Sequence, residues 1–253
     1  MERKINIFGV NFDNLEMIGA VEAINDLIKR NKNNSSKGFV VTPNVDHLVN
    51  IDKNKEFERV YEKASLRFVD GMPIVLLSRL FGKVFKAKIS GADLTPELFE
   101  LAHKKKYRIF IFGSKPGVAD KVANIYKNKF GENYQIATLS PPIGFENDKD
   151  ELKKNIEKIN EFSPDILFVS LGSPKGETFI YNNLDSLNVP VSIQVGAAID
   201  FMAGTVKRAP VWMQNFSLEW FYRFIKEPRR MFKRYFVNDL YFIKLVIKEI
   251  IKK

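Results

Sequence analysis

The 253-residue sequence contains no cysteine and only two histidines, His47 and His103, which lie far apart in the chain. The first absence excludes disulfide staples, thiolate nucleophiles and cysteine-based metal sites. Two separated imidazoles do not make a zinc set, so a zinc site is not expected. The chain also lacks any apolar run of about 18 residues, the length needed to span a bilayer. Its start, from Met1 to Asn11, is charged and then briefly strand-like, without the apolar centre of a signal peptide, so a cytoplasmic location is expected. Neither G-x-G-x-x-G nor a Walker loop is present, which argues against a nicotinamide dehydrogenase and a P-loop nucleotidase. No internal repeat or low-complexity linker occurs.

What is present suits a folded enzyme. Hydrophobic residues make up 45% of the chain and charged residues 28%, the balance of an ordinary globular protein with ample core. The length fits one large α/β domain, 1–205, followed by an appendage, 206–253. Charge separates the two parts. The net charge is +10, and the segment from Val206 to Lys253 carries twelve Lys/Arg against four Asp/Glu, leaving only +2 for the rest. So localised a basic end points to an anionic partner: a membrane surface, nucleic acid or a phosphorylated substrate.

Short β-branched runs alternate with amphipathic stretches, the pattern of βα units around a doubly wound, mostly parallel sheet. Strands are predicted at Lys4–Phe8, Gly38–Thr42, Leu66–Val69, Tyr107–Phe112, Tyr134–Leu139, Asp165–Val169 and Val191–Val195. Helices are predicted at Glu16–Arg30, Lys53–Lys63, Pro73–Phe81, Asp93–Lys105, Gly117–Lys129, Lys149–Phe162 and Gly176–Leu187. In the tail, Trp212, Phe216, Trp220 and Phe224 recur every four residues, as on one helical face, with Arg223, Arg230 and Arg234 beside them. That stripe reads either as core or as the apolar side of a helix lying on a membrane.

Ligands of such sheets bind beyond the carboxyl ends of the strands. The turn Gly113–Gly117 could offer backbone N–H groups to a phosphate at a helix N-terminus, or be a plain strand–helix turn. Asp70, directly after a hydrophobic strand, could cap the next helix or act as a general base. Thr42 and Asn44 could orient a sugar or diphosphate, or serve as turn residues. Lys175 and Glu177 flank a Gly-Ser-Pro turn; they could be an exposed pair, or the cation could offset a leaving diphosphate. Asp200 could be a cap or a base.

Taken in order, these motifs resemble the WecG/TagA/CpsF family of glycosyltransferases. The resemblance rests on Thr42-Pro43-Asn44, Val69-Asp70-Gly71, Phe112-Gly113-Ser114 and Pro141-Pro142-Ile143-Gly144-Phe145. It continues through Leu171-Gly172-Ser173-Pro174-Lys175, Val195-Gly196 with Asp200, and Gly204 to Pro210 with Arg208. Leu218 to Arg223 and Lys226 to Arg230 complete it. It implies an inverting, metal-independent transferase on a modified Rossmann-like sheet. The usual donor is a UDP-linked N-acetylmannosamine or related hexose, and the acceptor an undecaprenyl-diphosphate sugar. By position, Asp70 matches the catalytic base, and Thr42 and Asn44 the active-site Thr and Asn. Gly71, Gly113, Ser114, Gly144, Gly172, Pro174, Lys175, Glu177, Gly196, Asp200 and Arg208 are expected at the substrate sites. Arg223 and Arg230, with Arg234 aligned after them, match diphosphate-contacting positions in a basic segment that closes over the site and meets the inner face of the membrane, where a homo-oligomer could mask it. One departure stands out: Gly176-Glu177 replaces the usual Gln-Glu. His47, beside Asp46, could tune the acceptor. The alternatives are a nucleic-acid-binding protein, disfavoured because the tail aromatics follow a helical period, and a membrane-docking scaffold.

Overall fold

The computed structural model describes residues 2–210, 212–213, 219–226, 228 and 239–251. The chain opens with a hairpin rather than with a strand of the main sheet. Strands β1 (Lys4–Ile7) and β2 (Val10–Asp13) pair antiparallel, Lys4 opposite Asp13 and Ile7 opposite Val10. The expectation that the first strand joins the parallel sheet is therefore corrected. Phe8 and Gly9 both take positive φ, 51° and 79°, the tight-turn conformation whose twist suits a hairpin. The returning strand then satisfies β1 locally.

The six strands that follow are β3 (Gly38–Val41), β4 (Leu66–Arg67), β5 (Ile109–Gly113), β6 (Ile136–Leu139), β7 (Ile166–Ser170) and β8 (Val191–Gln194). They form one parallel sheet in the order β4-β3-β8-β7-β5-β6. Alternation along β5 explains the layers. Ile109 and Ile111 enter one core with Ile24, Leu98, Val122 and Ile199, which belong to α1 (Met17–Asn34), α5 (Gly91–Lys105), α6 (Val118–Phe130) and α9 (Ala198–Met202). Phe110 and Phe112 enter the other with Val49, Val60, Ile74, Ile159 and Ile180. Those come from α2 (Val45–Lys53), α3 (Lys55–Lys63), α4 (Met72–Leu80), α7 (Lys149–Phe162) and α8 (Lys175–Asn182). Helices thus cover both faces, which is why the central strands are apolar on both sides.

Two helices stand where one was expected near residues 45–63. Asn54 is extended, with φ −130° and ψ 107°, and its side chain accepts from the N–H groups of Glu56 and Phe57 to start α3. Beyond the sheet come α10 (Glu219–Lys226) and α11 (Asp239–Ile251). α11 returns to the body: Phe242 packs edge-on against Phe8 with ring centroids 5.1 Å apart. The hydroxyl of Tyr241 and the ammonium of Lys248 both donate to Asp52, at 2.7 Å. Trp212 is 58% exposed, so the core reading of the aromatic stripe fails there. Phe224 is half-buried. Phe216, Arg230, Arg234 and the side chains of Trp220 and Arg223 lie outside the described residues.

Candidate active site

Because the sheet is parallel, every strand ends on the same edge. The connections from β5 to β6 and from β7 to β8 leave in opposite directions, so a crevice opens at that edge between β5 and β7. Gly113 and Ser114 line it. The Ser114 N–H donates to the Ser170 carbonyl at 2.8 Å, and the hydroxyls of Ser114 and Ser170 bond at 2.9 Å. Ser170 donates on to the Gly196 carbonyl at 2.7 Å. These bonds knit the ends of β5, β7 and β8 together. Ser170 was missed in the sequence, although it directly follows a predicted strand.

On the other side of β8, the ends of β3 and β4 bring Thr42, Asn44 and Asp70 together. The Asp70 N–H donates to the Pro43 carbonyl at 3.0 Å, laying Val69-Asp70-Gly71 alongside Thr42-Pro43-Asn44. A side-chain carbon built on Gly71 would lie 4.0 Å from Asn44 Cβ. The N-cap of α4 falls on Gly71, one residue after Asp70. Thr42 is buried at the strand end, while Asn44 and Asp70 are half-buried. Asn44 caps α2: its side-chain oxygen accepts from the N–H groups of Asp46 and His47, at 3.0 and 3.3 Å. With that oxygen engaged, its amide nitrogen is the group left to donate to a ligand. His47 completes a capping box by accepting the Asn44 N–H on Nδ1, at 3.1 Å.

Glu177 lies elsewhere than expected. It is 1% exposed, inside the protein rather than in a surface pair with Lys175. Tyr61 donates its hydroxyl to one carboxylate oxygen at 3.3 Å, and His47 Nε2 is 3.5 Å from the same oxygen. Gln194 donates to the other at 3.4 Å. Burial pushes the Glu177 carboxyl up to about 7, against the hydrogen bonds of its own backbone, Ser173, Tyr61 and Gln194. Tyr61 is itself pushed well up by burial and then by Glu177. Nothing in the sequence marked Tyr61 or Gln194. Lys175 remains at the surface and pairs with Glu146, just after Gly144, whose φ of 85° starts a single helical turn. Gly172 also takes a positive φ, and Pro174 stands at the N-cap of α8.

Arg208 is held by two carboxylates, Asp93 at 2.7 Å and Glu219 at 3.0 Å. Lys88, a residue the sequence did not single out, pairs with the same two at 3.3 and 3.5 Å. Burial would raise Asp93, but hydrogen bonds from Arg208 and Ser90 hold it below the usual carboxylate range. The field of Asp70 also reaches Lys88, so this cluster borders the β4 end and ties α10 to it. Asp200 lies in the first turn of α9, its carboxyl raised by burial and opposed by Lys115. Among the described residues, no group of three His, Asp or Glu side chains converges as a metal ion requires.

Known proteins resemble this chain along most of its length. The family described as "Glycosyl transferase WecG/TagA/CpsF family" matches residues 5–253. A protein of Bacillus subtilis (strain 168) named N-acetylglucosaminyldiphosphoundecaprenol N-acetyl-beta-D-mannosaminyltransferase is 37% identical over 182 residues, covering 70% of this chain and 67% of that protein. A protein of the same name from Bacillus spizizenii is 33% identical over 192 residues, 76% of this chain and 72% of its own. Another from Staphylococcus aureus (strain MW2) is 26% identical over 228 residues, 90% of this chain and 87% of its own.

Proposed function

The chain belongs to the WecG/TagA/CpsF family of glycosyl transferases, and from that premise we propose that it moves N-acetylmannosamine from UDP to the N-acetylglucosamine of an undecaprenyl-diphosphate carrier. The product is an early lipid-linked intermediate of a cell-surface polymer such as teichoic acid. One observation carries the reading: Asp70 and the Thr42–Asn44 loop lie side by side at the carboxyl edge of the sheet, joined by the Asp70-to-Pro43 bond.

Asp70 accepts the proton of the acceptor hydroxyl as its oxygen attacks the anomeric carbon. The bond from that carbon to the UDP oxygen breaks on the opposite face, so an α-linked donor gives a β-linked product, by inversion. Asn44 donates its amide to sugar or diphosphate, and Thr42 lines the base of the site. The leaving diphosphate sits at the β5–β7 crevice, where the N–H groups opening α6 offset its charge; the side chains of Arg223, Arg230 and Arg234, expected to contact it, lie outside the described residues. No metal takes part. The protein works peripherally at the inner face of the membrane: among the described residues no helix is long and apolar enough to cross it, and the carrier lipid must be met there.

UDP release from purified protein, with a short-chain GlcNAc-diphosphate-lipid acceptor and a panel of UDP-sugars, tests this reading. Release is expected to need the acceptor and one donor, and to persist in EDTA. Asp70→Asn is expected to bind UDP normally and to lose at least about a hundredfold in turnover, the scale of positioned acid–base catalysis. Full turnover by that variant would remove Asp70 from the role of base.

A further inference from the structure

Glu177 is buried, titratable and takes part in none of the chemistry described above, yet four donors converge on it. His47 from α2, Tyr61 from α3, Gln194 from β8 and Ser173 from the preceding loop all face its carboxylate. The acidic residues whose fields reach this cluster through Tyr61 are Asp46 and Asp70. A carboxylate sealed from solvent cannot touch a substrate, so any part it takes in the reaction passes through a neighbour.

His47 is that neighbour. Its Nδ1 accepts the Asn44 N–H at 3.1 Å, which requires Nδ1 to be unprotonated. The neutral ring then carries its proton on Nε2, the atom 3.5 Å from Glu177. An acceptor on that side favours this tautomer, since the hydrogen bond made by one ring nitrogen sets the state of the other. With the proton on Nδ1 instead, two N–H donors would face each other and the Asn44 end of the capping box would open. We infer that Glu177 is a positioning residue for the transfer reaction, acting through the tautomer of His47 to hold Asn44, and with it the Thr42–Asn44 loop, against Asp70. The inference rests on the transferase reading for its kinetic part only.

The raised carboxyl supports the same assignment. As pH rises through about 7, Glu177 ionises and its hold on the Nε2 proton strengthens, so turnover is expected to rise through that range in the wild type.

Two kinds of measurement test this. Glu177→Gln keeps the shape, and is expected to lower kcat about tenfold with donor KM within about twofold, flattening the neutral limb of the pH profile. His47→Gln places at N3 another side chain able to accept the Asn44 N–H. In that background Glu177→Gln is expected to change kcat by less than about twofold, because groups acting through one another are not additive. Equal effects in both backgrounds would overturn the inference. The second measurement needs no activity. With only two histidines in the chain, the imidazole nitrogens of full-length protein are separable by nitrogen-15 NMR. Wild-type His47 is expected to be protonated on Nε2, and to shift with the titration of Glu177. Glu177→Gln should abolish that shift and leave His103 unmoved. A wild-type His47 protonated on Nδ1, or one indifferent to Glu177→Gln, would overturn it even if the transferase reading itself fails.

Discussion

A glutamine at position 176 has no room unless Gln194 gives way. A Cβ on Gly176 would lie 2.5 Å from Gln194 Nε2 and 2.8 Å from its Oε1, the atoms that bond Glu177 and the Gly196 N–H. Gly176→Gln, which would restore the usual motif, is therefore expected to evict that amide and break both bonds, at about 1 kcal/mol each. The melting temperature should fall by several degrees, Gln194→Ala alone should lower it by a similar amount, and combining the two should cost little more, because the same two bonds are lost. Gly113 is less forgiving. It has φ 107°, and a Cβ there would meet the Ser170 carbonyl oxygen at 2.5 Å. Backbone cannot rotate away as a glutamine tip can, so Gly113→Ala should lower the melting temperature further than Gly176→Ala does. Glu177 adds a pH dependence whose sign is fixed. Its folded carboxyl titrates near 7, above its ordinary value, so the folded state holds a proton that the unfolded state has lost. Stability from this group is complete at low pH and declines as pH rises toward and through 7; thermal melts of Glu177→Gln should lack that decline. At this scale the sequence was legible in placement: Thr42, Asn44 and Asp70 lie side by side at the carboxyl ends of β3 and β4, as strand-end residues should. It was opaque for Glu177, because the partners that bury it come from Tyr61 and His47, remote in the chain.

Elements were legible wherever a hydrophobic period ran long enough. α7 matches its predicted span, and the strands of the main sheet differ only at their ends. The missed elements β2, α2 and α9 are short, and the first two are signalled by unusual residues. β2 has four residues with an asparagine between its apolar ones, and α2 is announced by a capping box that uses His47 in place of Glu or Gln. The role of α10 was equally hidden, since the ion cluster that reaches it at Glu219 is drawn from three separate segments. Lys88 and Arg208 each bridge Asp93 and Glu219, and all four side chains are partly shielded from solvent. Such a network holds an element where single exposed pairs would not. Glu219→Ala leaves two cations sharing Asp93 and is expected to release α10. Limited trypsin digestion followed by mass spectrometry should then show cleavage after Lys207 and Lys226 several times faster, with the melting temperature nearly unchanged. Cleavage at the wild-type rate would mean that α10 is held by other contacts.

For the molecule as a whole, the α/β layering followed from the sequence, but the strand order did not: nothing local dictates that β8 inserts between β3 and β7. The asymmetry of the C-terminal segment was readable as charge, and the structure adds an apolar surface to it. On α11, Phe242 and Leu245 face the body, while Leu240, Ile243, Ile247 and Ile250 stand 51% to 66% exposed. Their spacing of three, four and three residues puts them on one outward face. Trp212, Phe221 and Ile225 are exposed as well. A helix with one apolar face, flanked by lysines, suits the boundary between headgroups and acyl chains. Each apolar side chain withdrawn from water contributes about 1.5–3 kcal/mol, and each basic residue near anionic lipid about 1 kcal/mol. On a lipid surface the apolar face would therefore outweigh the charge in affinity, while the charge would set the preference for anionic lipid. Full-length protein is expected to sediment with vesicles containing phosphatidylglycerol and to be only partly released by salt. The double substitution Ile247→Asp and Ile250→Asp should reduce that binding at least about tenfold. Both positions are exposed and lie on the face of α11 opposite Phe242 and Leu245, so turnover with a short-chain soluble acceptor should remain at the wild-type rate, while turnover on carrier lipid in vesicles falls. Equal loss on both acceptors would instead place the damage in the fold of α11, whose inner face holds Phe8 and Asp52.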